Sequence, residues 1–120
     1  MKRIAVFLIA FLLIASTCLA FNNLAYLNSE SNKDVTKIVY GVCKLYKQNP
    51  NVTAKEIFYK VIKPTADSSG VCRYLKRKSE MDVYMRYVDG LTMVAAKAWY
   101  DLLNGATINW VKYHALDYAR

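Results

Sequence analysis

The stretch from Ser79 to Gly105 limits the fold more than any other part of the chain. SEMDVYMRYVDGLTMVAAKAWYDLLNG repeats apolar residues at three- and four-residue steps. Met81, Tyr84, Met85, Val88, Leu91, Thr92, Ala95, Ala98, Trp99 and Leu102 fall on one broad stripe. Asp82, Arg86, Asp89, Lys97 and Asp101 fall mostly off it. Ser79 with Asp82 resembles a capping box at the start, and Asn104-Gly105 supplies residues that tolerate the left-handed turn ending a helix. A helix over about 80–103 would be about 36 Å long, so shorter helices are expected to fold around it as a central element.

The first twenty residues are of another kind. Lys2 and Arg3 precede an uninterrupted apolar run, Ile4 to Ala15, and Cys18-Leu19-Ala20 places small residues where a cleavage after Ala20 needs them. This is the pattern of a secretory signal peptide over 1–20, leaving a single domain over 21–120 in the periplasm or outside the cell. Two alternatives stand beside it. The uncharged run Ile4 to Phe21 is just long enough to stay as a membrane anchor. Cys18 is a candidate for lipidation, although Ala15-Ser16-Thr17 before it departs from the lipoprotein pattern.

Without the leader the cysteines are Cys43 and Cys72, an even number in a chain bound for an oxidising compartment. One disulfide is expected, closing a loop of roughly 30 residues and contributing about 3–4 kcal/mol by the chain-entropy argument. Two cysteines with no CxxC pair and no neighbouring histidine do not make a metal site. Lys+Arg 17 against Asp+Glu 9 gives a net charge of +8, or +6 without Lys2 and Arg3. In an exported chain that excess points to anionic lipid, cell-wall polymer or an acidic protein, and away from nucleic acid.

Taken in order, 21–33 is rich in Asn and Ser and reads as a loose N-terminal arm. A first helix is expected over about 34–48, capped by Asp34 or Ser31 and carrying Val35, Ile38, Val39, Val42 and Tyr46 inward. Asn49-Pro50-Asn51 breaks it, and the capping box Thr53 to Glu56 starts a second helix with Ile57, Phe58, Val61 and Ile62 inward. Pro64 is expected to end that helix and PTADSSG to form a loop. Val71 to Lys78 suits a helical turn or two, and a last helix follows from about Thr107 to Tyr118. Nothing alternates as a strand does. The expected fold is all-α, a bundle of four to five helices around the long one, with one disulfide.

Catalytic signals are weak. His114 is the single histidine, with Asp117 at i+3, and no serine or free cysteine is evidently placed as its nucleophile. Glu56 and Glu80 are the carboxyls a glycosidase would need to pair, and nothing in the sequence pairs them. No cofactor motif is present. The rings are more informative, with Tyr 10 and Trp 2 in the chain and many of them in its C-terminal half. Tyr87, Tyr100 and Tyr113 fall off the apolar stripes and Trp110 flanks one. Exposed Tyr and Trp bury much area at small entropic cost, which makes them typical interface anchors. Arg73, Arg77 and Lys78, in the densest basic stretch, would guide an acidic partner.

The expected function is that of an exported helical protein that binds and inhibits or regulates another protein. In general type it resembles periplasmic inhibitors, toxin-immunity proteins and phage-encoded exclusion proteins, though the distinctive residues of none of those groups are present. Binding to an anionic membrane surface through the same residues is the second expectation, and a small hydrolase centred on His114 the third.

Overall fold

The computed structural model describes residues 21–120, with side chains from Leu27 onward. The leader expected over 1–20 lies outside the described residues. The fold is all-helical, with no strand among the described residues. Helix α1 is Phe21–Gln48. The next helical stretch, 54–68, runs through α2 (Ala54–Ile57), a π-helical turn (Phe58–Ile62) and α3 (Lys63–Ser68). Then come α4 (Gly70–Arg77), α5 (Met81–Leu103), α6 (Ile108–Tyr113) and a 3-10 turn (Ala115–Ala119). None of the described helices is long and apolar enough to cross a membrane.

Helix α1 begins well before the expected position, so 21–33 forms its first half instead of a loose arm. Its 28 residues make it longer than α5, which has 23. At about 1.5 Å per residue it is roughly 42 Å long, which accounts for the 44 Å long axis of the molecule. Helix α1 packs most heavily on α5 and also touches the π turn, α3, α4, α6 and the 3-10 turn. Leu27, Val35, Ile38, Val39 and Val42 of α1 meet Leu91, Val94, Ala95, Ala98 and Leu102 of α5 in one apolar core.

The capping box forms as read. Glu56 N–H donates to Thr53 Oγ1 at 3.2 Å, and Thr53 N–H donates to the Glu56 carboxylate at 3.4 Å. Pro64 does not end the helix it stands in. Just before it Lys63 N–H donates to Phe58 O, a five-residue step in place of four. The wider turn accommodates a ring that lacks an N–H and would crowd the carbonyl four residues back. PTADSSG is therefore mostly helix, and only Ser69 stands outside, as the N-cap of α4.

The two ends of the α4–α5 region exchange roles with the expectation. Ser79 caps no helix start: its φ is 58°, and it holds the left-handed position that ends α4. Ser79 N–H donates to Lys76 O and Glu80 N–H to Leu75 O, both at 3.0 Å, a Schellman closure. Helix α5 ends in the same motif with the expected residue, Gly105 at φ 98°. There Gly105 N–H reaches Leu102 O and Ala106 N–H reaches Asp101 O.

The expected disulfide is absent. Cys43 and Cys72 are both buried free thiols. Cys72 N–H donates to Ser69 Oγ, and that hydroxyl donates to Asp34 of α1. Cys43 lies nine residues further along α1, against Lys112. Cys43 has Lys112 and Tyr118 for neighbours and Cys72 has Ser69, Asp34 and Tyr87, so the two thiols face different surroundings. Burial pushes both thiols above their ordinary range and keeps them protonated.

Candidate interaction surface

The expected anchors separate into buried and exposed groups. Tyr87 is 1% exposed, whereas Tyr100, Trp110 and Tyr113 are 65%, 48% and 86% exposed. Tyr87 therefore leaves the set of anchors. Its hydroxyl donates to Asp34 Oδ2 at 2.6 Å, and Ser69 Oγ donates to the same oxygen at 2.5 Å. Asp34 is no helix cap but a buried carboxyl in the middle of α1, tying α4 and α5 to it. Burial raises its pKa above the ordinary 3.8, with Glu30 adding to the effect and Ser69, Tyr87 and Lys37 opposing it. Burial and the Asp34 charge likewise push the Tyr87 hydroxyl far above its usual range. With its serine and tyrosine sealed from solvent, the cluster holds α1, α4 and α5 together.

The basic residues stand at the other end of the molecule from the exposed rings. Lys76 Nζ lies 4.9 Å from the Tyr84 ring, while Arg77 and Lys78 flank the Tyr74 ring at 6.0 and 5.9 Å. Arg73 donates to Ser68 O at 3.4 Å. From Tyr84 to Tyr100 is sixteen residues of α5, about 24 Å. Arg73, Arg77 and Lys78 do not share a patch with Tyr100, Trp110 and Tyr113.

Other rings that the sequence reading did not name as anchors are also exposed or half-buried near α5. Phe58 and Tyr59, edge to face at 5.2 Å, stand exposed on the π turn. With Ile57, Ile62, Ala95, Ala96 and Trp99 they line an apolar groove of about 440 Å³ between that turn and α5. Phe58 was expected inward. The extra residue in the π turn shifts which positions face the core, and Pro64 is the one sequence signal for it. Trp99 Nε1–H is buried on this side with no acceptor among the described residues.

Ala96 also borders a second depression, lined by Tyr100, Asp101 and Tyr118, and Asp101 borders a third, lined by Thr107 and Trp110. The Tyr118 hydroxyl donates to Asp101 Oδ2 at 2.6 Å, fixing the floor between them. The three depressions thus follow one another around α5, sharing Ala96 and Asp101 at their borders. Thr107 Oγ1 accepts from Trp110 N–H at 3.1 Å and sets the start of α6.

His114 is packed into this aromatic region. Its ring stacks on Trp110 at 4.1 Å, meets Tyr113 edge-on at 5.0 Å, and its Nδ1 is 2.9 Å from Trp110 O, which it meets as a donor. Asp117, expected to orient it, pairs instead with Arg120 at 3.6 Å. Glu56 is engaged in the capping box and lies 3.7 Å from Lys60. Among the described residues no three His, Cys, Asp or Glu side chains converge as metal ligands. Comparison with protein families, curated proteins and solved structures returns no match to this chain.

Proposed function

We propose that this is an exported protein that acts by binding another protein in the periplasm or outside the cell, inhibiting or regulating it. The observation that carries the reading is the set of exposed rings Phe58, Tyr59, Tyr100 and Trp110, standing beside depressions that adjoin one another around α5. Large rings held on rigid helices lose little freedom when covered, so they contribute more to binding per residue than flexible side chains. Export rests on the leader residues alone. The surface differs from the one expected: Phe58, Tyr59 and Trp99 enter, Tyr87 leaves, and the Arg73–Lys78 stretch lies outside it.

The test is a triple variant, Tyr59→Ala, Tyr100→Ala and Trp110→Ala, used beside the wild type to capture protein from the native envelope fraction. One partner retained by the wild type and lost from the variant, with circular dichroism unchanged, is the expected result. Equal retention by both would place the binding surface elsewhere.

A further inference from the structure

On the other side of α6 lies a pocket of different chemistry. Trp110 and Lys112 are two residues apart, about 200° around a helix, so they address nearly opposite directions. Lys112 turns toward α1, where its Nζ sits 5.2 Å from the centroid of the Tyr40 ring. Tyr40, Lys44 and Lys47 follow one another along one side of α1. With Ile108, Asn109 and Lys112 they enclose about 550 Å³. That is within the usual size range of small-molecule sites.

We propose that this pocket binds a phosphate-bearing anion through Lys44, Lys47 and Lys112. Three lysines line one concavity, no carboxylate lines it, and none of the three forms an ion pair among the described residues. Uncompensated like charges repel one another, and a group with two negative charges relieves that repulsion while accepting several N–H donors at once. Lys112 is half-buried and held over the Tyr40 ring, so one of the three donors is already positioned. The Tyr40 ring and Ile108 add apolar surface beside the charges, which suits a phosphate carried on an apolar or ring-bearing body. In the Arg73–Lys78 stretch, Lys76, Arg77 and Lys78 rest on the Tyr74 and Tyr84 rings. The pocket meets the depression beside Trp110 only at Thr107, and its three lysines line neither that depression nor the other two, so the proposal does not rest on the function proposed above.

The experiment titrates the full chain with inorganic pyrophosphate by calorimetry, and in parallel co-sediments it with phosphatidylcholine vesicles with and without phosphatidate. Three proteins are compared: wild type, a pocket variant (Lys44→Gln, Lys47→Gln, Lys112→Gln), and a variant with the same charge removed elsewhere (Arg73→Gln, Arg77→Gln, Lys78→Gln). Pyrophosphate affinity is expected to fall about 100-fold in the pocket variant and to change little in the other. Phosphatidate-dependent sedimentation lost only from the pocket variant, without pyrophosphate binding, would also support the site and identify a lipid headgroup as the source. Binding of neither probe by the wild type, or equal loss in the two variants, would overturn the proposal.

Discussion

At the scale of single residues the decisive group is Asp34, a buried carboxyl with two hydroxyls donating to one of its oxygens. Its folded pKa is raised above 3.8, so the folded chain holds this proton more tightly than the unfolded chain does. Stability therefore falls as pH rises from about 4 through the folded value, and this contribution is fully present only below the unfolded pKa. Asp34→Asn keeps an acceptor and removes the titration. Its stability relative to wild type should rise between pH 4 and pH 7 in urea unfolding; a difference independent of pH would show that Asp34 titrates alike in both states. Removing the acceptor altogether is more damaging. Asp34→Ala removes the acceptor that the Ser69 and Tyr87 hydroxyls share and leaves a cavity, and should cost about 2–5 kcal/mol. The burial of Tyr87 was not legible in the sequence, because its partner is 53 positions away. On periodicity alone Tyr87 and Val88 compete for the same inward direction, and the Asp34 oxygen decides between them. Asp34 did carry a signal, standing next to Val35 and one turn before Ile38 on the buried stripe of α1.

At the scale of elements, sequence succeeded where a helix end carries the residues usual for it and failed where an unusual residue takes the position. The Thr53–Glu56 box and the Asn104–Gly105 stop were read correctly because their hydrogen bonds lie within a few positions. Ser79 was read as a helix start because serine seldom takes the left-handed conformation it adopts here. Ser79→Gly relieves that conformation and should stabilise the fold by about 0.5–1 kcal/mol, measured as a higher Tm. An unchanged or lower Tm would mean that the serine carries no strain at this position.

The crossing of α1 with the π turn is equally specific. A Cβ on Gly41 would stand 2.8 Å from Val61 Cγ1 and 3.0 Å from Cγ2. Valine is stiff at χ1, so the helices themselves must part. Gly41→Ala should therefore destabilise by about 1 kcal/mol, the crowding exceeding the gain in helix propensity. Stabilisation in urea unfolding would show that the crossing gives way freely.

At the scale of the molecule, the all-helical class was legible, and so was an aromatic C-terminal half. Which rings meet on one surface was not, because that depends on helix packing and on the extra residue in the π turn. The same geometry keeps Cys43 and Cys72 apart and sends the Arg73–Lys78 stretch to the far end of α5. The resulting account has an aromatic face for a protein partner and, on another side of α6, a lysine pocket for an anion. The most direct test of the first is site-specific photo-crosslinking in the cells that make the protein. A benzophenone side chain is placed in turn at Tyr59, Tyr100 and Met85, which is exposed toward the other end of α5. The account predicts one and the same protein adduct from positions 59 and 100 and none from 85. An adduct from 85 alone, or lipid adducts without protein at 59 and 100, would contradict it.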